Sequence, residues 1–453
     1  PRPTVLAPPM NAAPASPPAP VKSSTLAGNY FISNYPPFSF WSEDQKIEVE
    51  KALDSQPTPG AKLGLYHHIP FCRKRCHFCY FRVYTDKNAQ DIQTYLDGTI
   101  TELKSIAERP LYRGRKPHFV YFGGGTPSYL SAKQLHELTD KLKAVLPWDA
   151  AEEVAFEAEP GTLNPGKLTA IKEVGVTRLS LGVEHFDDHV LQINGRAHRS
   201  AEVFTAYERA RAENFAQINI DLIAGMLEET EALWQRNIEE TIKLRPDSVT
   251  IYQMEIPYNT TIYKEMKAEG KLVAPVADWQ TKRRWVKEAF AALESAGYTI
   301  ASGYTAVLNP QRTKFVYRDE LWTGADLIGL GVASFSHAAG VHYQNVTEIE
   351  PYLAAINAGQ RPIKRAFRTS REELMIREFI LQMKLGRVVL GYFSEKFGVD
   401  LAQRFAAQLG HLAAEGFLTV DSTHVRLSRD GLLCVDTLLH EFFLSQHRTN
   451  KIV

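Results

Sequence analysis

Cysteine is scarce in this chain. Four occur in 453 residues, and three of them fall within eight positions. A disulfide-stapled secreted protein would scatter and pair its cysteines, so the pattern excludes that class and points to a metal site in a reducing compartment. The fourth, Cys434, sits in the apolar run Leu432-Leu433-Cys434-Val435 and reads as a buried structural thiol. An excess of either charge is also missing: Lys plus Arg and Asp plus Glu number 52 each. The basic surplus of a nucleic-acid binder is therefore absent. No run of about 18 apolar residues occurs, so no membrane-spanning helix is expected. Residues 1–28 are rich in Pro and Ala and lack the basic-then-apolar order of a secretory leader. They read as a disordered tail. The whole chain is 44% hydrophobic and 23% charged, an ordinary globular composition. It fits a cytoplasmic enzyme with a small-molecule substrate and no nucleic-acid or membrane partner.

The length suggests two or three domains. Strand-like segments recur at Leu63–Ile69, Phe119–Phe122, Val154–Glu157, Arg178–Val183, Ile218–Ile223 and Ser248–Met254. Each is short, rich in β-branched or aromatic residues, and ends in Gly, Pro or a polar residue. Amphipathic helical stretches separate them, among them Ile92–Ala107, Ala132–Val145 and Ala201–Glu213. Six βα units require a parallel sheet, because parallel neighbours need crossover helices. The expected fold is α/β, a partial (β/α)₆ barrel over residues 61–305, with ligands at the carboxyl ends of its strands. Residues 29–60 form an N-terminal segment expected to cover the substrate, and 306–370 a connecting, cavity-closing segment. From about 371 to 453, helical runs and a small hairpin suggest a mostly helical, winged-helix-like C-terminal domain. Such a shape often binds DNA. The neutral charge and the barrel upstream assign it a structural or substrate-covering role instead.

Cys72-Arg73-Lys74-Arg75-Cys76-His77-Phe78-Cys79 directly follows the first strand candidate. Thiolates are soft ligands suited to iron–sulfur clusters. Three of them leave one iron of a [4Fe–4S] cubane open to another ligand. A structural zinc site would be closed by four ligands, usually in two separated pairs. His77 is adjacent to Cys76 and poorly placed as a fourth. Phe122-Gly123-Gly124-Gly125-Thr126-Pro127 ends the second strand. Its glycines let a ligand approach the backbone. Glu157 and Glu159 share a face near the end of the third strand. Glu184 ends the fourth, Arg196 follows it, and Asp221 lies in the fifth. Inward charges in a barrel need partners, and a zwitterionic ligand with a ribose would supply them.

Together these residues resemble the oxygen-independent coproporphyrinogen III oxidase-like family of radical S-adenosylmethionine (SAM) enzymes. The resemblance runs from about Asn29 onward. It includes Tyr66-His67-His68-Ile69-Pro70-Phe71-Cys72, the glycine run, Leu179–Phe186, Asn219–Ile223 and Gly329–Ser334. It implies that Cys72, Cys76 and Cys79 hold a [4Fe–4S] cluster. Gly123, Gly124, Gly125, Thr126, Glu157, Glu184, Arg196 and Asp221 would bind SAM, two molecules as in some members. Tyr66 would pack beside the cluster, and Tyr66 and Glu184 are the expected catalytic positions. The resemblance further implies a flavodoxin- or ferredoxin-type electron donor.

Departures from the family pattern bear on the reaction. The family's usual Gln at the end of the fourth strand is Glu184 here, which alters hydrogen bonding there. Decarboxylating members carry Cys where Phe81 stands and Arg where Asn29 stands, and the segment Gly303–Val307 also differs from their pattern. These point away from decarboxylation and toward methyl or methylene transfer to an sp² carbon, as in the family's two-SAM C-methylases and cyclopropanases. Oxidative decarboxylation of coproporphyrinogen III and a haem-binding chaperone are the alternatives. In the polar stretch Thr305–Trp322, Arg312, Lys314 and Arg318 stand either toward substrate carboxylates or on a solvated loop.

Overall fold

The computed structural model describes residues 28–268 and 276–448. Apart from Gly28, the expected disordered tail lies outside the described residues. Six parallel strands stand in sequence order: β1 (Leu63–Ile69), β2 (Phe119–Gly124), β3 (Glu153–Ala158), β4 (Arg178–Glu184), β5 (Gln217–Ala224) and β6 (Ser248–Gln253). The sheet does not stop there. Beyond β6 come two short antiparallel strands, β7 (Thr299–Ile300) at the edge and β8 (Thr305–Val307) between it and β6. On the other side β1 pairs in parallel with β9 (Asp326–Leu330). Antiparallel β10 (Phe335–Ala338), β11 (Val341–Asn345) and β12 (Ile363–Arg368) extend that edge. Twelve strands thus form one open sheet.

The segment between 306 and 370 therefore adds four strands, β9 to β12, to the main sheet. Glycine hides them in the sequence. Gly329 interrupts the apolar pattern of β9, yet it is required: a Cβ there would sit 2.2 Å from the Phe335 carbonyl oxygen.

Helices between strands begin where the local chemistry allows. Asn88 caps the helix Ala89–Ala107 by accepting from the backbone N–H of Gln90 and Asp91, satisfying two of the donors a helix start leaves open. That helix buries Ile92, Leu96, Ile100 and Leu103 against the sheet. Ser131 caps the helix Ala132–Val145 in the same manner.

The C-terminal region has a core of its own, built around Phe379, Phe393, Phe405 and Phe442. A three-stranded antiparallel sheet, β13 (Arg387–Val389), β14 (Leu418–Val420) and β15 (His424–Leu427), lies among its helices. The expected long helices are broken here, one at Phe405 and the last at Cys434. Cys434 is fully buried, as its apolar neighbours require. Among the described residues no helix is long and apolar enough to cross a membrane.

The N-terminal segment is tied to this second core. Tyr35 is buried there, its hydroxyl accepting from Leu444 N. Asp436 accepts from Ile32 N at 2.9 Å and its own N–H donates to Asn29 Oδ1. Lys384 is fully buried, pairs with Asp436 at 2.7 Å and donates to the Ile32 carbonyl. Tyr304 also donates to Asp436. Breaking such a buried pair by removing one partner costs about 3–5 kcal/mol, so residues 29–32 are held firmly. Phe31 is thereby set over the carboxyl ends of the barrel strands.

Candidate active site

The three clustered cysteines leave β1 on a clamped loop. Cys72 N donates to Tyr84 O, and Tyr84 N returns a bond to Pro70 O. The β2 turn grips the same loop: Gly125 N donates to Ile69 O at 2.8 Å and Thr126 N to Phe71 O at 2.9 Å. Thr126 Oγ1 lies 3.3 Å from Cys72 Sγ. A Cβ on Gly125 would meet Ile69 O at 2.9 Å and both Cys72 Sγ and Phe71 O at 3.0 Å. The sequence suggests that this glycine makes room for a ligand. The structure shows that it first makes room for the cysteine loop. His77 is not turned to the thiols; its Nδ1 is 2.9 Å from Ile193 O and its ring packs on Gly195.

Burial pushes the Cys72 thiol up to about 11, against the opposing bond from Thr126. Burial and the neighbouring Cys76 push Cys79 to about 12. Among the described residues no three His, Cys, Asp or Glu side chains are gathered to hold one metal ion. A cubane asks for something different, since each thiolate binds its own iron. The donor set suits that group: three thiols line one wall, with Arg196 Nη1 3.2 Å from Cys76 Sγ.

Facing the thiols, a cavity of about 430 Å³ opens at the strand ends. Glu157, Glu184 and Asp221 form its acidic wall. Tyr121 donates to Glu157 at 2.6 Å and Gly124 N donates to its other oxygen at 3.1 Å. Ser180 and Asn219 donate to Asp221 at 2.8 and 2.9 Å. Burial raises all three carboxyls. Glu157 reaches about 7, with Asp221 adding to the rise. Glu184 also reaches about 7 despite the opposing pull of Arg196. Asp221 is raised by burial against its hydrogen bonds. Glu159 behaves oppositely. Burial raises it, but His198, Arg196 and Arg73 together hold it down at about 2. It fastens the cysteine loop by pairing with Arg73 at 3.0 Å.

Two expected residues stand behind the wall. Tyr66 stacks on Tyr121, with ring centroids 5.9 Å apart, and its hydroxyl meets His68 Nδ1 at 3.0 Å. It supports Tyr121 and does not line the cavity. Gly123 leaves space for the Tyr121–Glu157 contact, since a Cβ there would fall 2.7 Å from the Tyr121 ring. Of the basic stretch, Lys314 pairs with Glu152 and Arg318 with Asp319. Neither they nor Arg312 line the cavity, and Phe315 does. The sequence reading missed Ser180, Asn219 and Tyr121. Alternation was the available signal: Ser180 and Glu184 share a face of β4, and Asn219 and Asp221 share a face of β5.

Comparison with known proteins extends this picture over the whole barrel and beyond. Residues 66–244 match the Radical SAM superfamily, and residues 369–434 match the HemN C-terminal domain. The chain is 30% identical over 373 residues to the heme chaperone HemW of Bacillus subtilis, covering 81% of this chain and 96% of that one. It is 27% identical over 425 residues to the oxygen-independent coproporphyrinogen III oxidase of Pseudomonas aeruginosa, covering 89% and 91%. The solved structure of the Escherichia coli coproporphyrinogen III oxidase HemN, a radical SAM enzyme, aligns with a TM-score of 0.79 at 25% identity, over 91% of this chain and 96% of that one.

Radical SAM proteins use a [4Fe–4S] cluster to cleave SAM reductively to methionine and a 5′-deoxyadenosyl radical. The residues here fit both groups. Cys72, Cys76 and Cys79 would hold the cluster, and the acidic wall offers charge to the ammonium and sulfonium of SAM and acceptors to its ribose. A pH dependence follows. Glu157 and Glu184 carry charge above about pH 7 and lose it below. Cationic SAM favours the charged forms, so calorimetric affinity for SAM should fall several-fold between pH 8 and pH 6. A flat profile would mean that these two carboxyls do not meet its cationic groups. With the cysteine loop, the acidic strand ends and the full-length relatives in agreement, the chain belongs to the radical SAM superfamily, within the group that contains HemW and the oxygen-independent coproporphyrinogen III oxidases.

Proposed function

We propose that this protein is a radical SAM oxidoreductase acting on a tetrapyrrole, by oxidative decarboxylation of porphyrinogen propionates. The observation that carries this reading is the roofed cavity. Phe31 of the N-terminal segment and Phe315 line it together with the barrel residues, and the likeness to HemN extends over 91% of the chain, beyond the radical SAM barrel. Lys74 lines the rim, exposed and without an ion pair among the described residues, and so offers a charge to a substrate carboxylate. Phe31 at the roof excludes water from a site meant for radical chemistry. Each propionate would give one hydrogen atom to a 5′-deoxyadenosyl radical and one electron to an external one-electron acceptor, and lose carbon dioxide, to become a vinyl group. Reducing power for SAM cleavage would come from a flavodoxin- or ferredoxin-type donor.

A second reading, methyl or methylene transfer from a second SAM, is favoured by two side chains. Phe81 lines the cavity, its ring tilted against Tyr80 with centroids 4.4 Å apart, where decarboxylating members carry Cys. Asn29 is occupied in accepting from Asp436 N, where they carry Arg. The full-length relatives are oxidases and a chaperone, so they support the first reading and not this one. One product census separates them. Reduced enzyme is incubated anaerobically with coproporphyrinogen III and SAM labelled in its methyl group. Vinyl product with carbon dioxide and no transferred label supports decarboxylation. Label in the tetrapyrrole together with S-adenosylhomocysteine would replace that reading with transfer. Tight haem binding with no substrate-dependent SAM cleavage would leave a chaperone.

A further inference from the structure

Glu184 ends β4 in an uncommon backbone conformation. Its φ is +64°, in the left-handed region that non-glycine residues seldom enter and that gathers at functional sites. The β4–β5 register shifts between Gly182 and Glu184, so Val183 is the extra residue of a bulge and Glu184, paired with Leu222, directly follows it. Bulges of this kind re-aim a side chain. Here the carboxylate is brought to Arg196: Oε1 stands 3.7 Å from Nη1. That same Nη1 is 3.2 Å from Cys76 Sγ, while Nη2 is fixed at 2.5 Å from Gly182 O. The guanidinium is thus held between a cluster ligand and a carboxylate.

The other acids nearby have their hydrogen-bond partners elsewhere, although Glu159 also feels the charge of Arg196. Glu159 pairs with Arg73 and His198. Glu157 takes Tyr121 and Gly124 N, and Asp221 takes Ser180 and Asn219. Among the described residues, Arg196 is the one ion-pair partner of Glu184. The reduction potential of an iron–sulfur cluster responds to net charge and to hydrogen bonds on its sulfurs. A cation donating to a ligand sulfur stabilises the reduced, more negative cluster and raises the potential. A carboxylate on that cation offsets the effect.

We infer that Glu184 is a positioning residue for the cluster: acting through Arg196, it limits the positive charge felt at the Cys76 sulfur and keeps the reduction potential low. This rests on the cluster placement alone and is independent of the substrate.

The test is a redox titration of anaerobically reconstituted, full-length protein without SAM, followed by the electron paramagnetic resonance signal of the reduced cluster. Glu184→Gln and Glu184→Asn remove the charge, and Asn tolerates the left-handed backbone. Both should titrate at a more positive potential than wild type at equal iron content. Glu184→Asp keeps the charge and should stay near wild type. Arg196→Gln should shift the potential the other way, and adding Glu184→Gln to it should change little, because the route through the guanidinium is gone. A purely structural role for Glu184 would not produce that loss of coupling. An unmoved potential in both neutral variants at full iron content overturns the proposal. So does loss of the cluster from both, which would assign Glu184 to assembly.

Discussion

Cys76→Ala protein is expected to leave anaerobic reconstitution without its cluster, and Cys72→Ala and Cys79→Ala should behave alike. Wild type and Cys434→Ala should each hold about four irons per chain, with the broad visible absorption of thiolate-ligated iron. The contrast follows from placement. Cys72, Cys76 and Cys79 line one wall of the cavity. Cys434 is fully buried in the C-terminal core and donates to the Asp430 carbonyl at 3.1 Å. Because each thiolate serves a separate iron, the loss of one ligand is not shared among the others. SAM cleavage should fall to background in all three ligand variants. Full iron content in Cys76→Ala would remove the cluster from this loop, and the active-site assignment with it.

Gly125→Val is the second large effect. The new side chain has no space that would not displace the carbonyls of Ile69 and Phe71 or the Cys72 sulfur, all within 3.0 Å of its Cβ. Two backbone bonds that tie the β2 turn to the cysteine loop run through the same spot. The expected result is a folded protein, by circular dichroism, that reconstitutes poorly and binds SAM at least a hundredfold more weakly. That loss corresponds to about 2.7 kcal/mol, at roughly 1.4 kcal/mol per tenfold. Gly114→Val is the control, since nothing lies within 4 Å of its Cβ. Its positive φ brings some strain but no collision with the site. Equal iron and SAM binding in the two variants would show that the loop yields easily and that Gly125 is a mere turn residue.

Much of the barrel could be read from residue patterns. β1 begins and ends at the expected Leu63 and Ile69, and the helix Ala132–Val145 matches at both ends. Both have strong periodicity and clear punctuation. The site acids were legible for a related reason: a charge inside an apolar strand, as at Asp221, demands an explanation. β9 to β12 were not legible. Their identity as strands depends on pairing with β1 and with each other, contacts between residues more than 250 positions apart at the β1–β9 junction. Such pairing leaves little local trace in a glycine-rich stretch. The resemblance sets Tyr66 beside the cluster, but a residue pattern does not tell what stands in front of a side chain. Here Tyr121 does.

The N-terminal strap also has a meaning in time. Residues 29–32 are among the earliest described residues to leave the ribosome, yet Lys384 and Asp436, which hold them down, are among the last. The barrel strands and the cysteine loop are made between these events. During synthesis the cavity is therefore an open vessel, reachable by whatever delivers iron and sulfide, and its roof is set only after residue 436 has emerged. A fold that ties residues 29–32 to residue 436 over its active site places closure after the barrel and its cysteine loop have been made.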